Sequence, residues 1–390
     1  ILRHARGTLG AQRIGLVTTS GVRIEDDVVA EGDFAGITGA RVLFNDPSVD
    51  AAVLETSRGG IVKSGLGFSW CDVGAVLNVA EDHLHLHGVE TLDDLAQAKA
   101  CVARAARDRA VLNADDPRCL AMAEEKAPQQ VCLFTLGDLS ESLRARIAQG
   151  SLAITLEQRD GAETICLHRD GGTEPVVAAA DIPATLGGAA RHNIQNAMAA
   201  IGLAQGLGIP LAEIAVALAR FRSDYSDNAG RLNFFEGFPF QVVHDFAHNP
   251  PGMRVLCDTL RQIPVAGRRI CVLSGIGHRH PEHIRPVAEL IAGQFDVFIC
   301  SRRESMTHLT EITRDFPLEE IPGRIAEALR AEGVASEAIQ TIDLDTEAVD
   351  QGLEMAREGD LVALLTGTVE WTGARVLQAA ARRQALMTEA

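Results

Sequence analysis

The sequence predicts an α/β protein of two domains, and three patterns along the chain lead to this prediction. Short apolar runs of strand length alternate with segments of helical periodicity, which is typical of doubly wound sheets with parallel strands. A stretch near the middle has the turn signals of antiparallel hairpins. A polar segment over residues 222–230 separates two such regions, and we place the domains at residues 1–226 and 227–390.

In the first domain, strands and helices follow one another from the start of the sequence. The tail of a helix ends near Arg6, and an extended run covers residues 13–19. Two apolar strands, a helix and a further strand are then predicted over residues 51–54, 73–77, 92–106 and 110–112. Because helices separate these strands, we expect the strands to pair in parallel.

Antiparallel hairpins are predicted within residues 150–186. Two apolar runs flank Asp160-Gly161, and a second turn is predicted at Gly171-Gly172. Helices are predicted next, over residues 192–205 and 211–221. In the second domain, strands are predicted over residues 241–243, 270–273, 297–299 and 361–365. Helical patterns separate them, so this domain is also predicted to be α/β.

The composition disfavours several classes of function. The 390 residues carry 53 acidic and 36 basic side chains, a formal net charge of −17, which opposes binding to nucleic acids and anionic membranes. No apolar run reaches the roughly 18 residues of a transmembrane helix. Eight cysteines occur without a C-x-x-C pair, which argues against zinc sites and disulfide frameworks. We therefore expect a cytoplasmic protein that binds neither nucleic acids nor membranes.

Two predicted strands of the first domain are followed by polar residues that suit a cation. Glu55 directly follows the first of these strands, and Asp82-His83 come shortly after the second. Since ligands gather beyond the carboxyl ends of parallel strands, both groups are candidates for binding a divalent cation or a phosphate. Glu55 is equally compatible with a solvated carboxylate that begins a loop.

Histidines and a lysine add to this region. His83, His85 and His87 alternate, so they could share one face of a strand as in a transition-metal site; in the simpler interpretation only His83 is a ligand. Lys99 lies sixteen positions after His83, in the predicted helix over residues 92–106. It is either an ordinary exposed lysine or a cationic or modified group that faces the same cleft.

Polar residues later in the chain suit a nucleotide. Asn193 and Asn196 lie in the first turns of a predicted helix, where an asparagine can cap the helix or bind the edge of a nucleobase. Arg231 and Asp245 follow the domain boundary and could bind a phosphate and a ribose hydroxyl, or form a structural salt bridge.

A phosphate-binding loop of the Walker A type needs Gly-Lys followed by Ser or Thr. Val62, Ala98 and Glu125 precede the three lysines, so the sequence contains no Gly-Lys pair.

Taken in this order, these segments resemble the Mur ligase superfamily, and within it the ligase half of the cyanophycin synthetases. The resemblance covers most of residues 1–300. It rests on strings such as AAVLETSRGGI, GAVLNVAEDHLHLHG, GGAARHNIQNAMAAIGLA and VVHDFAHNPPG. It implies a central ATPase domain with a parallel sheet and an antiparallel patch, followed by a Rossmann-like C-terminal domain.

The resemblance also implies roles for individual residues. Glu55 and His83 would hold Mg²⁺, and Lys99 would match a catalytic lysine that many relatives carry as a carbamate. The residues implied to bind ATP are Asn193, Asn196, Arg231, Asp245, His248 and Asn249.

The implied reaction is ATP-dependent amide formation through an acyl phosphate. In the cyanophycin synthetases the amino acid is arginine and the acceptor is the β-carboxyl of an aspartate polymer. The resemblance also implies a homo-oligomer, a tetramer in the intact protein. Alternatives are a peptidoglycan-precursor or folylpolyglutamate type of ligase, or a degenerate module without catalysis.

Three departures from the family pattern affect these expectations. The family's phosphate loop would lie just before Ile1, so the sequence is expected to be cut within that region and inactive alone. His278 stands where an aspartate is usual, and residues 301–305 lack an expected arginine-glycine-arginine run. The amino acid that is added is therefore the least constrained of the inferences.

Overall fold

The computed structural model describes residues 1–80, 87–226, 228–274, 276, 281–303 and 316–389. It divides into two compact units, a first unit of Ile1–Phe221 and a second unit of Arg222–Ala390. Among the described residues, every helix is too short or too polar to cross a lipid bilayer.

The first unit begins with a small mixed sheet. The elements of this part of the chain are α1 (Arg6–Leu9), β1 (Ile14–Thr18), β2 (Gly21–Ile24), β3 (Asp27–Glu31), α2 (Ile37–Phe44), β4 (Ala51–Leu54) and α3 (Arg58–Ser64). The strand order is β3-β2-β1-β4, in which β1 pairs in parallel with β4 and antiparallel with β2. The parallel pair places the ends of β1 and β4 at the same edge, and Glu55 follows β4 there.

A larger sheet forms the rest of the first unit. Its strands are β5 (Cys71–Val76), β6 (Ala106–Asn113), β7 (Val131–Thr135), β8 (Leu152–Arg159), β9 (Ala162–Arg169) and β10 (Gly172–Ala178). The helices are α4 (Leu92–Ala105), α5 (Pro117–Met122), α6 (Glu141–Ala148), α7 (Arg191–Gly206) and α8 (Leu211–Arg220). Strands β5 to β8 are parallel and β8 to β10 antiparallel, so the predicted parallel sheet with an antiparallel patch is confirmed.

Two hairpin turns join the antiparallel strands β8, β9 and β10. Asp160 and Gly161 both have a positive φ, as do Asp170 and Gly171. Two-residue turns with this conformation match the twist of the strands that they join. The first turn lies where the sequence predicts it, whereas the second lies one residue earlier than predicted, because Gly172 already pairs with Arg169.

Helix α7 covers one face of the larger sheet. Ile194, Met198 and Ile201 are fully buried against apolar residues of β6 to β9. Two glycines of α7 lie against the strands: a Cβ on Gly202 would come within 2.8 Å of Val111, and one on Gly206 within 2.4 Å of Val73. The backbone of α7 therefore packs directly on β5 and β6 at these points.

The second unit contains one sheet with helices around it. Its strands are β11 (Asn233–Phe235), β12 (Gln241–Asp245), β13 (Arg269–Leu273), β14 (Val297–Arg302), β15 (Ile339–Leu344) and β16 (Leu361–Leu365). Its helices are α9 (Pro250–Arg261), α10 (Ile284–Ile291), α11 (Ile321–Ala331), α12 (Asp345–Met355) and α13 (Val369–Glu389). The order is β11-β12-β16-β13-β14-β15, and only β11 is antiparallel to its neighbour.

The sequence analysis missed the two edge strands of this sheet. Strand β15 begins with the buried Ile339 and then alternates half-buried with exposed residues, as is usual for a strand with a neighbour on one side only. Strand β11 is only three residues long. Neither strand has the continuous apolar run by which the central strands were found.

We predict that the core of the first unit depends on Phe134. Its side chain is 0% exposed, so Phe134→Ala should lower the free energy of unfolding by about 3–5 kcal/mol through lost burial and a cavity. Phe221→Ala is the control, because Phe221 is 46% exposed and its truncation should cost less than about 1 kcal/mol. Urea unfolding measures both, and equal losses would contradict the packing described here.

Candidate functional site

Glu55 lies at the carboxyl end of β4 with its side chain exposed. Its backbone N–H donates to Val17 O at 2.9 Å, which extends the pairing of β1 and β4 by one residue. Its carboxylate Oε2 accepts a hydrogen bond of 3.0 Å from Thr19 N. The carboxylate is thus anchored through one oxygen at a strand end, where a hard cation can approach.

Lys99 reaches from α4 to the segment that follows β5. Its Nζ donates to the backbone oxygen of Asn78 at 2.7 Å. Since Asn78 lies only five positions before His83, Lys99 is anchored on the segment that leads to the predicted ligand. The prediction that Lys99 belongs to this region of the chain agrees with this contact, whereas its chemical role remains a prediction.

Two further side chains hold the same segment. Asn113 Nδ2 donates to Leu77 O at 2.9 Å, and Asp116 Oδ2 accepts from Val79 N at 2.6 Å. Asp116 also caps α5 by accepting from two backbone N–H groups. The path of the chain after β5 is therefore fixed by residues from β6 and from the start of α5.

His83 lies outside the described residues, as do Asp82 and His85. The predicted Mg²⁺ ligand pair of Glu55 and His83 is therefore known in structure only for Glu55. Among the described residues there is no group of three or more His, Cys, Asp or Glu side chains placed to hold a metal ion. Strands β4 and β5 belong to different sheets, whereas the sequence analysis expected their ends in one layer.

Asn193 and Asn196 lie in the first turns of α7 and contact each other. Asn193 Nδ2 donates to Ala184 O at 2.7 Å, and its Oδ1 accepts from Asn196 Nδ2 at 3.2 Å. Neither residue caps α7, because the N-cap is Ala190. Asn193 therefore braces the loop before the helix, and the exposed Asn196 is the more accessible of the two.

A hydrogen-bonded cluster that the sequence analysis did not single out joins α7 to the strand ends. Asp115 follows β6, and its carboxylate accepts from Thr135 Oγ1, from Leu136 N at 2.9 Å and from Gln195 Nε2 at 3.1 Å. The start of α7 is thereby tied to the carboxyl ends of β6 and β7. The only sequence signal was the pair Asp115-Asp116 directly after an apolar strand.

In the second unit, Asp245 ends β12 and organises the backbone around it. Its Oδ2 accepts from Leu232 N at 2.8 Å and its Oδ1 from Ala247 N at 2.7 Å. Desolvation raises the pKa of the Asp245 carboxyl, against the lowering effect of these N–H groups and of Arg231. Both oxygens of the carboxylate are thus engaged with the backbone around the strand end.

Two guanidinium groups lie on the ring of Phe246, which follows Asp245. The carbon atom of the Arg231 guanidinium is 5.7 Å from the ring centroid, and that of Arg303 is 5.4 Å from it. Arg303 also donates to Gly367 O. Arg231 was predicted from the sequence and Arg303 was not, because nothing in the sequence shows that Arg303, which directly follows β14, lies against Phe246.

His248 and Asn249 stabilise the start of α9. The Nδ1 of His248 lies 3.0 Å from Phe246 O, and the two rings are 4.8 Å apart. Asn249 is the N-cap of α9, with its Oδ1 accepting from Gly252 N at 2.9 Å. These contacts position the turn beside Asp245, and the expected contact of either residue with a nucleotide remains a prediction.

The two units thus present different chemistry at their strand ends. The first offers a carboxylate, a lysine and amides, and the second a carboxylate and two guanidinium groups. The carboxylate and amide oxygens of the first unit suit a hard cation, and the guanidinium groups of the second suit phosphate or carboxylate groups.

We predict that His192, at the start of α7, makes the protein sensitive to acid. Burial lowers the pKa of His192, and its Nδ1 has no hydrogen-bond partner within the described part of the chain. The unfolded chain therefore takes up the proton first, so this contribution to stability is present above about pH 6.5 and is lost as the pH falls below it. His192→Gln should lose less stability than the wild type between about pH 7.5 and pH 5.5 in urea unfolding.

His87 provides the control, because its side chain is exposed. His87→Gln should leave the difference between the two pH values as in the wild type. If both variants behaved alike, burial of His192 would not be the cause of the sensitivity.

The chain matches two family models that together cover most of its length. The Mur ligase middle domain matches residues 4–204, and the Mur ligase glutamate ligase domain matches residues 230–368. The cyanophycin synthetase of Trichormus variabilis is 35% identical over 362 residues, which cover 91% of this chain but 38% of that protein. The chain therefore spans well under half the length of that relative.

Two more distant proteins show the breadth of the similarity. A UDP-N-acetylmuramoyl-L-alanyl-D-glutamate–2,6-diaminopimelate ligase of Corynebacterium efficiens is 26% identical, over 94% of this chain and 63% of its own length. A bifunctional folylpolyglutamate synthase/dihydrofolate synthase solved with Mn, AMPPNP and L-glutamate shares the fold, with a TM-score of 0.62 at 17% identity, over 96% of this chain and 85% of that one. With its middle-domain model matched over residues 4–204, the chain belongs to the Mur ligase family.

Proposed function

We propose that this chain is the ligase module of a cyanophycin synthetase, which uses ATP to join an amino acid to a carboxylate. The observation that carries the proposal is the 35% identity to a cyanophycin synthetase over 91% of the chain. The lower identity of 26% to the diaminopimelate ligase makes a peptidoglycan-precursor ligase the second candidate.

The proposed reaction has two steps. An oxygen of the substrate carboxylate attacks the γ-phosphorus of ATP, and ADP leaves with the electrons of the broken bond, so that an acyl phosphate forms. The amine of the incoming amino acid then attacks the acyl carbon, loses a proton and displaces inorganic phosphate. In the proposed function the amino acid is arginine and the carboxylate is the β-carboxyl of an aspartate polymer.

Glu55 and His83 are proposed to hold Mg²⁺. The exposed carboxylate of Glu55, anchored through one oxygen at a strand end, is a hard donor of the kind that Mg²⁺ prefers. When bound, the ion would offset negative charge on the phosphate oxygens. The hydrogen bond to Thr19 N supports this role of Glu55, and the family pattern supports that of His83.

Lys99 is proposed to carry a carbamate, as the matching lysine does in many relatives. Its hydrogen bond to Asn78 O orients the Nζ atom, and a carbamate nitrogen keeps one N–H with which to make the same bond. A carbamate would place negative charge toward a cation, where an ammonium group would repel it. In ¹³C-bicarbonate, a carbamate carbonyl resonance should appear in the wild type and be absent in Lys99→Met.

The residues proposed to bind ATP are those that the family pattern assigns. Asn196 and Asn193 would bind the nucleobase, Asp245 the ribose and Arg231 the phosphates, with His248 and Asn249 positioning the turn beside Asp245. To these we add Arg303, because its guanidinium shares the ring of Phe246 with Arg231. Two cations on one ring suit phosphate or carboxylate oxygens better than one.

The phosphate loop that this reaction requires must come from outside the 390 residues, which contain no Gly-Lys pair. Within the described part of the chain, β4 pairs only with β1 and β5 only with β6. Val53 of β4 is apolar yet 44% exposed. We propose that a strand leading to the phosphate loop pairs with these free edges in the intact protein.

Assembly and location are part of the same proposal. The intact protein is proposed to be a cytoplasmic homo-oligomer, in line with the family, and tetrameric. The eight cysteines of the described chain are all free thiols, as is usual in a reducing compartment.

The proposed substrates can be tested in the full-length protein that contains this sequence. With an aspartate polymer, ATP and Mg²⁺, release of ADP should depend on added arginine. Release that depends on another amino acid would overturn the choice of arginine, and no release with any acceptor would overturn the proposed function.

We predict that Glu55→Gln reduces the release of ADP by about a hundredfold or more, because it removes the negative charge of the carboxylate that is proposed to bind Mg²⁺. Since the carboxylate is exposed, the thermal midpoint should change little. Glu31→Gln on β3 is the matched control, an exposed glutamate of the same sheet, and should keep its activity. Equal losses of stability and activity in Glu55→Gln would indicate a structural role instead.

A further inference from the structure

A histidine is buried directly beside Asp245 on β12. The side chain of His244 is 0% exposed. Because successive side chains of a strand point to opposite faces, His244 points away from Asp245, to the face on which Val242 packs. Val242, Leu364, Val272 and Val376 form an apolar core cluster on that face, and the buried Asn233, Thr366 and Thr372 are polar residues beside it.

His244 takes part in a chain of hydrogen bonds through two buried threonines. Its Nε2 lies 3.2 Å from Thr366 Oγ1 and 3.4 Å from Thr366 O, just beyond the end of β16. Thr366 Oγ1 lies 2.7 Å from Thr372 Oγ1 on α13. The two threonines are at most 1% exposed. These bonds connect the carboxyl ends of β12 and β16 with the first part of α13.

The contacts assign the tautomer of His244. Burial lowers the pKa of His244 to about 4, so the ring is neutral near pH 7. Its Nδ1 has no partner among the described residues. A buried N–H without an acceptor costs more than an unused lone pair, so the proton belongs on Nε2, which donates to Thr366.

The loop that accepts this bond also holds two other side chains. Gly367 O accepts from Arg303, and Thr368 Oγ1 donates to Asp345 at 2.8 Å. Residues 366–368 therefore connect His244 with the guanidinium group that lies on Phe246. Asp245, at the end of β12, is the proposed contact of the ribose. Arg303, held by the loop after β16, is the proposed contact of the phosphates.

An apolar side chain at position 244 would satisfy the core more simply. Leucine would fill the space without a polar atom that lacks a partner, and replacement of buried polar groups by apolar ones is often neutral or stabilising. A buried imidazole here is therefore unexplained by stability alone. Its hydrogen bond, by contrast, fixes one strand end relative to the next loop.

We propose that His244 is a positioning residue: through Thr366 it sets the end of β12, with Asp245, relative to the loop over residues 366–368 that holds Arg303. This inference rests on the proposed nucleotide contacts of Asp245 and Arg303. It adds a residue that touches neither the nucleotide nor the reacting atoms.

The test compares His244→Leu with His244→Gln in the full-length protein. Glutamine retains an N–H that can reach Thr366, whereas leucine keeps only the volume. For His244→Leu we expect a roughly tenfold higher KM for ATP, which corresponds to about one lost hydrogen bond, with kcat changed less than about twofold. His244→Gln should restore the KM to within about twofold of the wild type. The thermal midpoint of His244→Leu should fall by a few degrees at most, because Thr366 O loses its donor while Thr366 Oγ1 keeps its bond to Thr372.

A second readout does not depend on catalysis. The amides of Leu232 and Ala247 donate to Asp245, so their hydrogen exchange reports its position. Exchange at these two amides should become faster in His244→Leu and stay slow in His244→Gln. Thr259→Val is the control, because Thr259 is a buried threonine of the second unit, like Thr366. Among the described residues its hydroxyl bonds within α9, to Val255 O. This substitution should change neither KM nor these amides.

Each outcome decides one question. Unchanged KM and unchanged exchange in His244→Leu, or an equal loss in His244→Gln, would overturn the role of His244. If the wild type bound no nucleotide, the proposed function would fail, while the exchange at Leu232 and Ala247 would still test the positioning by His244.

Discussion

Parallel pairing of strands is the constraint on which the rest of this structure depends. It brings the carboxyl ends of β5, β6 and β7 to one edge in the first unit, and those of β12, β13, β14 and β16 to one edge in the second. Asp245 lies at the end of β12 itself, and Lys99 and the start of α7 are hydrogen-bonded to the segments that follow β5 and β6. Burial of the strands on both faces fixes this arrangement, because a shift in register would expose apolar side chains.

The same burial explains how much of the fold could be predicted from the sequence. Central strands such as β13 and β16 are continuous apolar runs and were found, whereas the half-exposed β15 was not. The hairpin turn at Asp160-Gly161 was found from its residue types. The turn at Asp170-Gly171 was predicted one position too late, because the pair Gly171-Gly172 gives the same sequence signal. Local patterns thus determined the type of each element better than its pairing.

For the candidate site, the sequence located positions but not the partners of the side chains. Glu55 and Asp245 were placed correctly at strand ends, since the ends of apolar runs are visible in the sequence. The contact of Asn193 with Ala184 and that of Arg303 with Phe246 join segments that the sequence does not show to be neighbours. Asn249 is engaged locally, as the N-cap of α9. Several candidate residues therefore have a role within the fold in addition to any role toward a ligand.

The close contact of α7 with β5 and β6 at Gly202 and Gly206 has an evolutionary consequence. Any side chain at these two positions would lift the helix from the sheet and carry Asn193 and Asn196 with it. A substitution there would change the shape of the proposed nucleotide site without altering any residue that lines it. Natural variation at these two glycines is therefore expected to be as restricted as variation at Asn193 and Asn196 themselves.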